Sequence, residues 1–101
     1  MKRYRVALRK EAKADLDAIK DTRTRAAVTE RMLKLESEPQ KQGKPLKKPL
    51  QGFYSVRAAG QRYRIIFELQ EVKSLVVVVV IGIRKEGDKR DAYRVASKRL
   101  E

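Results

Sequence analysis

The residues of this chain best suited to chemistry are cations. Between Lys41 and Arg64 stand Lys41, Lys44, Lys47, Lys48, Arg57, Arg62 and Arg64, seven basic residues with no acidic one among them. Further along, Gly82-Ile83-Arg84 closes a long apolar run, and Lys85 and Tyr93 follow it. The sequence has no His and no Cys, which removes the commonest general base, thiol nucleophiles, disulfides and zinc-thiolate sites. Catalysis would have to rest on Tyr, Lys, Arg, Ser or carboxylates, and no metal or cofactor is expected. Guanidinium and ammonium groups suit one task above others, the binding of phosphate and the stabilisation of charge that builds on it.

The overall balance agrees. Lys and Arg number 26 against 13 Asp and Glu, a formal net charge of +13, and such an excess points to a polyanionic partner. Nucleic acid or a nucleoprotein ranks ahead of an anionic membrane. No run approaches the ~18 apolar residues of a spanning helix and no hydrophobic leader follows the start, so the cytoplasm is the expected compartment. A length of 101 residues suits one domain, 1–101, and not two. With 42% hydrophobic residues, 6% aromatic and no Trp, its core is aliphatic and modest.

Those cations need a scaffold. Arg3-Tyr4-Arg5-Val6-Ala7-Leu8 alternates basic with apolar residues, as an edge or half-buried strand does. Ala12, Leu16 and Ile19 then fall at helical spacing. Asp21 or Thr22 can cap a second helix, in which Val28, Met32 and Leu35 repeat that spacing up to Ser37-Glu38-Pro39, completing an αα-hairpin. Residues 39–52 hold all three prolines and read as a connector without regular structure.

Two strands follow. A two-residue turn at Ala59-Gly60 would set Ala58 opposite Gln61, Arg57 opposite Arg62, Val56 opposite Tyr63 and Ser55 opposite Arg64. A longer loop would keep the parity: Tyr54, Val56 and Ala58 share a face with Tyr63, Ile65 and Phe67, while Ser55, Arg57, Arg62 and Arg64 share the other. Residues 75–83 form a β-branched run expected as a central strand covered on both faces. A short helix should start near Lys89 and carry Ala92, Tyr93, Ala96 and Leu100. The expected fold class is α+β, in the order β-α-α-β-β-β-α, with an antiparallel-rich sheet of about four strands and two helices on one side.

Each constellation admits two readings. The basic run is a solvated face or, because arginines on adjacent strands repel unless an anion lies between them, a phosphate cradle. Arg84 points to the same side as Gly82, whose missing side chain leaves room for a ligand, or it merely ends the strand and pairs with Glu86 or Asp88. Tyr93 is a site residue or a core residue at helical spacing.

Taken in order, these pieces resemble a known family. The run Gly43-Lys44-Pro45-Leu46-Lys47-Lys48-Pro49-Leu50-Gln51-Gly52-Phe53-Tyr54-Ser55-Val56-Arg57, then Gly60, Arg62-Tyr63-Arg64-Ile65-Ile66-Phe67, and Ile81-Gly82-Ile83-Arg84-Lys85-Glu86-Gly87-Asp88 with Tyr93 is similar to the signature of RelE/ParE toxins, nearer the RelE branch. The resemblance spans nearly the whole chain. It implies a microbial RNase-like fold and the toxin of a type II toxin–antitoxin pair, with an acidic cognate antitoxin as one partner. It further implies a ribosome-dependent endoribonuclease acting on mRNA in the A site or, in the ParE branch, an inhibitor that binds DNA gyrase.

The same resemblance makes Arg64, Arg84 and Tyr93 the catalytic residues, with Lys44, Lys47, Lys48, Arg57, Arg62 and Lys85 as RNA and phosphate contacts. In such a reaction the 2′-OH attacks the adjacent phosphate, so a proton must leave, charge must be stabilised and the 5′-oxygen must be protonated. The two arginines suit the charge, and Tyr93 suits proton transfer or base stacking, although free Tyr, with a pKa of about 10, needs help from cations. Phe53 and Ser55 stand where the best-known RelE-type site carries lysines. Lys47 or Lys48, Arg57 or Arg62, and Glu86 or Asp88 are the alternatives for the missing functions.

Overall fold

The computed structural model describes residues 3–100. Its sheet has five strands, β1 (Arg5–Leu8), β2 (Lys44–Pro45), β3 (Phe53–Ala58), β4 (Tyr63–Gln70) and β5 (Leu75–Ile83), in the order β1-β5-β4-β3-β2. Only β1 runs parallel to its neighbour; the other pairs are antiparallel. Helices α1 (Lys10–Asp17) and α2 (Thr22–Leu33) form the expected hairpin. Asp21 caps α2 by accepting from the amides of Arg23 and Thr24, so two of the first turn's free donors are satisfied.

The sheet is buried on both faces. Ala12, Leu16, Ile19, Val28, Met32 and Leu35 of the helical hairpin meet Val56, Ile65, Phe67, Val76 and Val78 on one side. On the other, Ala92 and Ala96 of α4 (Ala92–Arg99) meet Ile66, Val77, Val79 and Val80. The β-branched run of β5 is thus covered from above and below, which explains why it lacks alternation. Among the described residues no helix is long and apolar enough to cross a membrane.

Four features depart from the sequence reading. Residues 39–52 are not wholly irregular: they contain the short helix α3 (Pro39–Gln42) and strand β2, which pairs Lys44 with Ser55 and Pro45 with Tyr54. Pro45 is tolerated there because β2 lies at the sheet edge. Gly43 makes the passage possible, since a Cβ on it would stand 2.7 Å from the Phe67 ring and 2.9 Å from the Tyr54 Cβ.

The hairpin register is also shifted by two residues. Ala58 pairs with Tyr63, Arg57 with Arg64 and Ser55 with Ile66, so Arg62 lies in the turn. Parity is unchanged, and the gain is aromatic: Tyr54 now opposes Phe67, with ring centroids 5.6 Å apart and stacked, a cross-strand pair that a two-residue turn would separate.

Third, the last helix begins at Ala92 and not near Lys89, because Asp91 supplies its N-cap by accepting from the Tyr93 amide at 3.1 Å. Fourth, β5 bulges. Ile66 pairs with Val80 but Phe67 with Val78, leaving Val79 as the extra residue. Val79 and Val80 consequently both enter the α4 side of the core. Past this point even-numbered residues of β5 change sides, so that Gly82 and Arg84 face the same way as Ser55, Arg57 and Arg64.

A basic cleft with a buried carboxylate behind it

The bulge and the hairpin register converge on one cleft. Arg57 opposes Arg64 across β3 and β4, Arg64 opposes Gly82 across β4 and β5, and Lys44 opposes Ser55 across β2 and β3. Lys44, Leu46, Ser55, Arg57, Arg64, Arg84 and Tyr93 line an open cavity of about 430 Å³. Four cations line it and no carboxylate does. Like charges directly opposite on neighbouring strands repel, and an anion placed between Arg57 and Arg64 would relieve that repulsion.

The cations are held differently. Arg64 donates from Nη1 to the carbonyl oxygens of Gln61 at 2.6 Å and Tyr63 at 3.2 Å. Neutral acceptors fix the guanidinium and leave its charge uncancelled. Arg84 instead donates to Asp91 at 2.7 Å and to the exposed Glu86 at 3.3 Å. Its guanidinium carbon also lies 4.9 Å from the centroid of the Tyr93 ring, within cation–π range. The bond to Asp91 raises the Arg84 pKa above its ordinary value, outweighing the opposing effect of desolvation.

Asp91 is 4% exposed. Oδ1 accepts from Arg84 and, at 2.6 Å, from the Lys85 amide, while Oδ2 accepts from the Tyr93 amide. Burial works against its ionisation, yet the bonds from Arg84 and Lys85 keep its pKa below the usual carboxylate range. Tyr93 is half-buried, and its hydroxyl lies 2.9 Å from the hydroxyl of buried Ser55, in a bond that either oxygen can donate.

Of the residues singled out in the sequence, Lys44, Arg57, Arg64, Arg84 and Tyr93 come together. Lys47, Lys48 and Lys85 are exposed and line no part of the cleft, and Arg62 contributes only a carbonyl oxygen that accepts from the Arg84 amide at 2.8 Å. Asp88 is engaged by Arg90, whose side chain and amide both donate to it, lowering its pKa to about 2; so weak a base does not suit proton abstraction near neutral pH. Arg84 takes Glu86 as one expected partner, but its principal partner is Asp91. Asp91 and Leu46 were missed in the sequence. Asp91 had a usable signal, an Asp directly before the apolar positions of a helix.

The expected vacancy beside Gly82 is filled. A Cβ there would stand 3.2 Å from the Ala92 Cα and 3.3 Å from its Cβ, so the glycine admits helix α4 and not a ligand. Gly82→Val should therefore push α4 off β5, costing roughly 1–3 kcal/mol by overpacking, measured by urea denaturation. An unchanged denaturation midpoint would show that α4 can shift freely.

A larger groove, about 580 Å³, lies between α1 and α4 and includes Ile81, Val95 and Lys98. There Arg99 pairs with Asp15 at 2.8 Å and donates to the Val79 carbonyl, Asp15 accepts from the Ile81 amide, and Lys89 and Lys98 also line the groove. The smaller cleft differs in that no carboxylate lines it. No group of three or more Asp or Glu suited to a metal ion occurs among the described residues.

Comparison with known proteins gives the same neighbourhood. Residues 6–87 match the family described as the ParE toxin of type II toxin–antitoxin systems. Among solved structures, the RelBE2 toxin–antitoxin complex from Mycobacterium tuberculosis aligns at 31% identity and a TM-score of 0.73, over 81% of this chain and 99% of that one. A mutant of the Escherichia coli toxin RelE in the free state aligns at 18% identity and a TM-score of 0.71, over 98% of this chain and 99% of that one. A YoeB/ParE toxin from Agrobacterium tumefaciens does so at 14% and 0.67, over 80% and 99%; at such identities these two share the fold. No curated protein matches the sequence significantly.

Proposed function

The chain belongs to the ParE toxin family of type II toxin–antitoxin systems, within the RelE/ParE superfamily, and on that premise we propose that it works as a RelE-type endoribonuclease that cuts mRNA in the ribosomal A site. The observation that carries the reading is the cleft in which Lys44, Arg57, Arg64 and Arg84 surround the hydroxyl-bearing Ser55 and Tyr93 with no carboxylate in the lining. A scissile phosphate seated there would meet guanidinium groups as charge accumulates on its oxygens, the largest single contribution in reactions of this kind.

In the proposed step the ribose 2′-oxygen bonds to phosphorus and the P–O5′ bond breaks, leaving a 2′,3′-cyclic phosphate and a 5′-hydroxyl. One proton leaves the 2′-OH and one reaches the 5′-oxygen. Arginine does not give up its proton in proteins, so among the groups lining the cleft proton transfer falls to Tyr93 and Lys44. A phenol and an ammonium are weak catalysts of proton transfer near neutral pH, which suits an enzyme whose RNA is pre-ordered by the ribosome. An acidic antitoxin would cover this face, and the net charge of +13 favours fast, steered association.

The test is primer extension on an mRNA in a reconstituted cytoplasmic translation mixture, with and without ribosomes. Cuts within A-site codons only when ribosomes are present are the expected result. A second reading, inhibition of DNA gyrase by binding alone, is favoured by the ParE description of the matched family and by the lack of a strong base in the cleft. Intact mRNA together with blocked gyrase supercoiling would select it.

A further inference from the structure

We propose that Asp91 is a positioning residue that locks Arg84 and Tyr93 into one unit, so that the guanidinium and the phenol enter the cleft in a fixed relation. The proposal rests on the nuclease reading for its catalytic consequence. It rests on the geometry alone for the locking itself.

Arg84 directly follows β5 and Tyr93 is the second residue of α4, with a loop between them. Backbone contacts close that loop, with Ile83 and Asp91 bridged in parallel and the Asp88 and Asp91 amides donating to the Lys85 and Asp88 carbonyls, but they do not set the relation of the two side chains. The Asp91 carboxylate does so by dividing its oxygens. Oδ1 holds the Arg84 guanidinium at 2.7 Å and the Lys85 amide at 2.6 Å, and Oδ2 holds the Tyr93 amide at 3.1 Å. The guanidinium then stacks 4.9 Å from the Tyr93 ring centroid, and the phenol reaches Ser55 at 2.9 Å. Asp91 lies outside the lining of the cleft and is 4% exposed, so it acts on a bound phosphate only through these neighbours. Its charge-assisted bond to Arg84 is of the stronger class, and the second carboxylate on Arg84, Glu86, is 89% exposed along its side chain and free to yield to a phosphate.

Capping and positioning can be separated. Asp91→Ser retains an N-cap oxygen for the Tyr93 amide but removes the negative charge that holds Arg84; Asp91→Asn is a second, near-isosteric variant should the first not fold. The first readout is the guanidinium NH spectrum of ¹⁵N-arginine-labelled protein, with the Arg84 signals assigned by their loss in Arg84→Ala. Restricted, resolved Arg84 signals are expected in the wild type, collapsing in a folded Asp91 variant. The second readout is mRNA cleavage on programmed ribosomes, where kcat should fall on the order of 10²-fold with little change in KM, the penalty of a misplaced catalytic group.

Arg84 signals that persist in a folded Asp91 variant would overturn the proposal, as would a wild-type kcat in that variant. Should the wild type itself cut no mRNA, the nuclease reading fails, and the guanidinium spectrum still decides whether Asp91 positions Arg84.

Discussion

Arg84→Ala should lower mRNA cleavage by roughly 10²–10³-fold, equivalent to about 2.7–4 kcal/mol of transition-state stabilisation, the effect of deleting one preorganised charge-stabilising donor. The protein should remain folded. Arg84 is partly exposed at the end of β5, and when it is removed the Asp91 carboxylate keeps the Lys85 and Tyr93 amides as donors. Arg84→Lys preserves charge but not the planar fork, and its activity should fall between the two. Single-turnover cleavage, with circular dichroism as the control for folding, measures this. A folded Arg84→Ala protein that cuts at the wild-type rate would remove Arg84 from the chemistry.

Val78→Asp should abolish folding. Val78 is fully buried and opposes Leu8 of β1 and Phe67 of β4. A carboxylate there would face aliphatic and aromatic groups with no cation in the core, and an uncompensated buried charge costs about 3–5 kcal/mol. Domains of this size have about 5–15 kcal/mol in all, so such a cost removes a large share of it. Loss of the far-ultraviolet signal and of soluble expression are the expected results. A cooperative, native-like melt for Val78→Asp would mean that β5 is not the buried strand through which both cores are built.

Much of this architecture was legible from spacing. The i, i+4, i+7 pattern of Ala12, Leu16 and Ile19 and its repeat in Val28, Met32 and Leu35 located the helical hairpin, and all six residues are buried. Strand parity put Ser55, Arg57 and Arg64 on one face, where the structure has them. Parity survives a shift of two residues, and for that reason it could not choose between the expected register and the observed one; the stacking of Tyr54 on Phe67 is a contact between strands that alternation within a strand does not encode.

The remainder depended on tertiary geometry. Counting alternately from Val78, which faces the helical hairpin, would put Arg84 on that same side, away from Arg64. The bulge at Val79 reverses the count, and nothing in a run of consecutive valines marks where a bulge falls. Gly82 was a sound signal of close approach, but what approaches is Ala92 of α4. The segment with three prolines hid an edge strand because Pro45 costs little where one side of the strand has no partner. Ser55, which in sequence registers as a missing lysine, turns out to hold the Tyr93 hydroxyl.

The proposed nuclease activity turns on attack by a ribose 2′-OH in this cleft. The most direct test places an mRNA with a single 2′-deoxynucleotide immediately 5′ of the scissile phosphate into the A site of a programmed ribosome, beside the all-ribose mRNA. Cleavage of the all-ribose strand to a 2′,3′-cyclic phosphate and a 5′-hydroxyl is expected, with none at the deoxy position. Cleavage at the deoxy position, or an uncut all-ribose strand, would rule out the 2′-OH as the nucleophile.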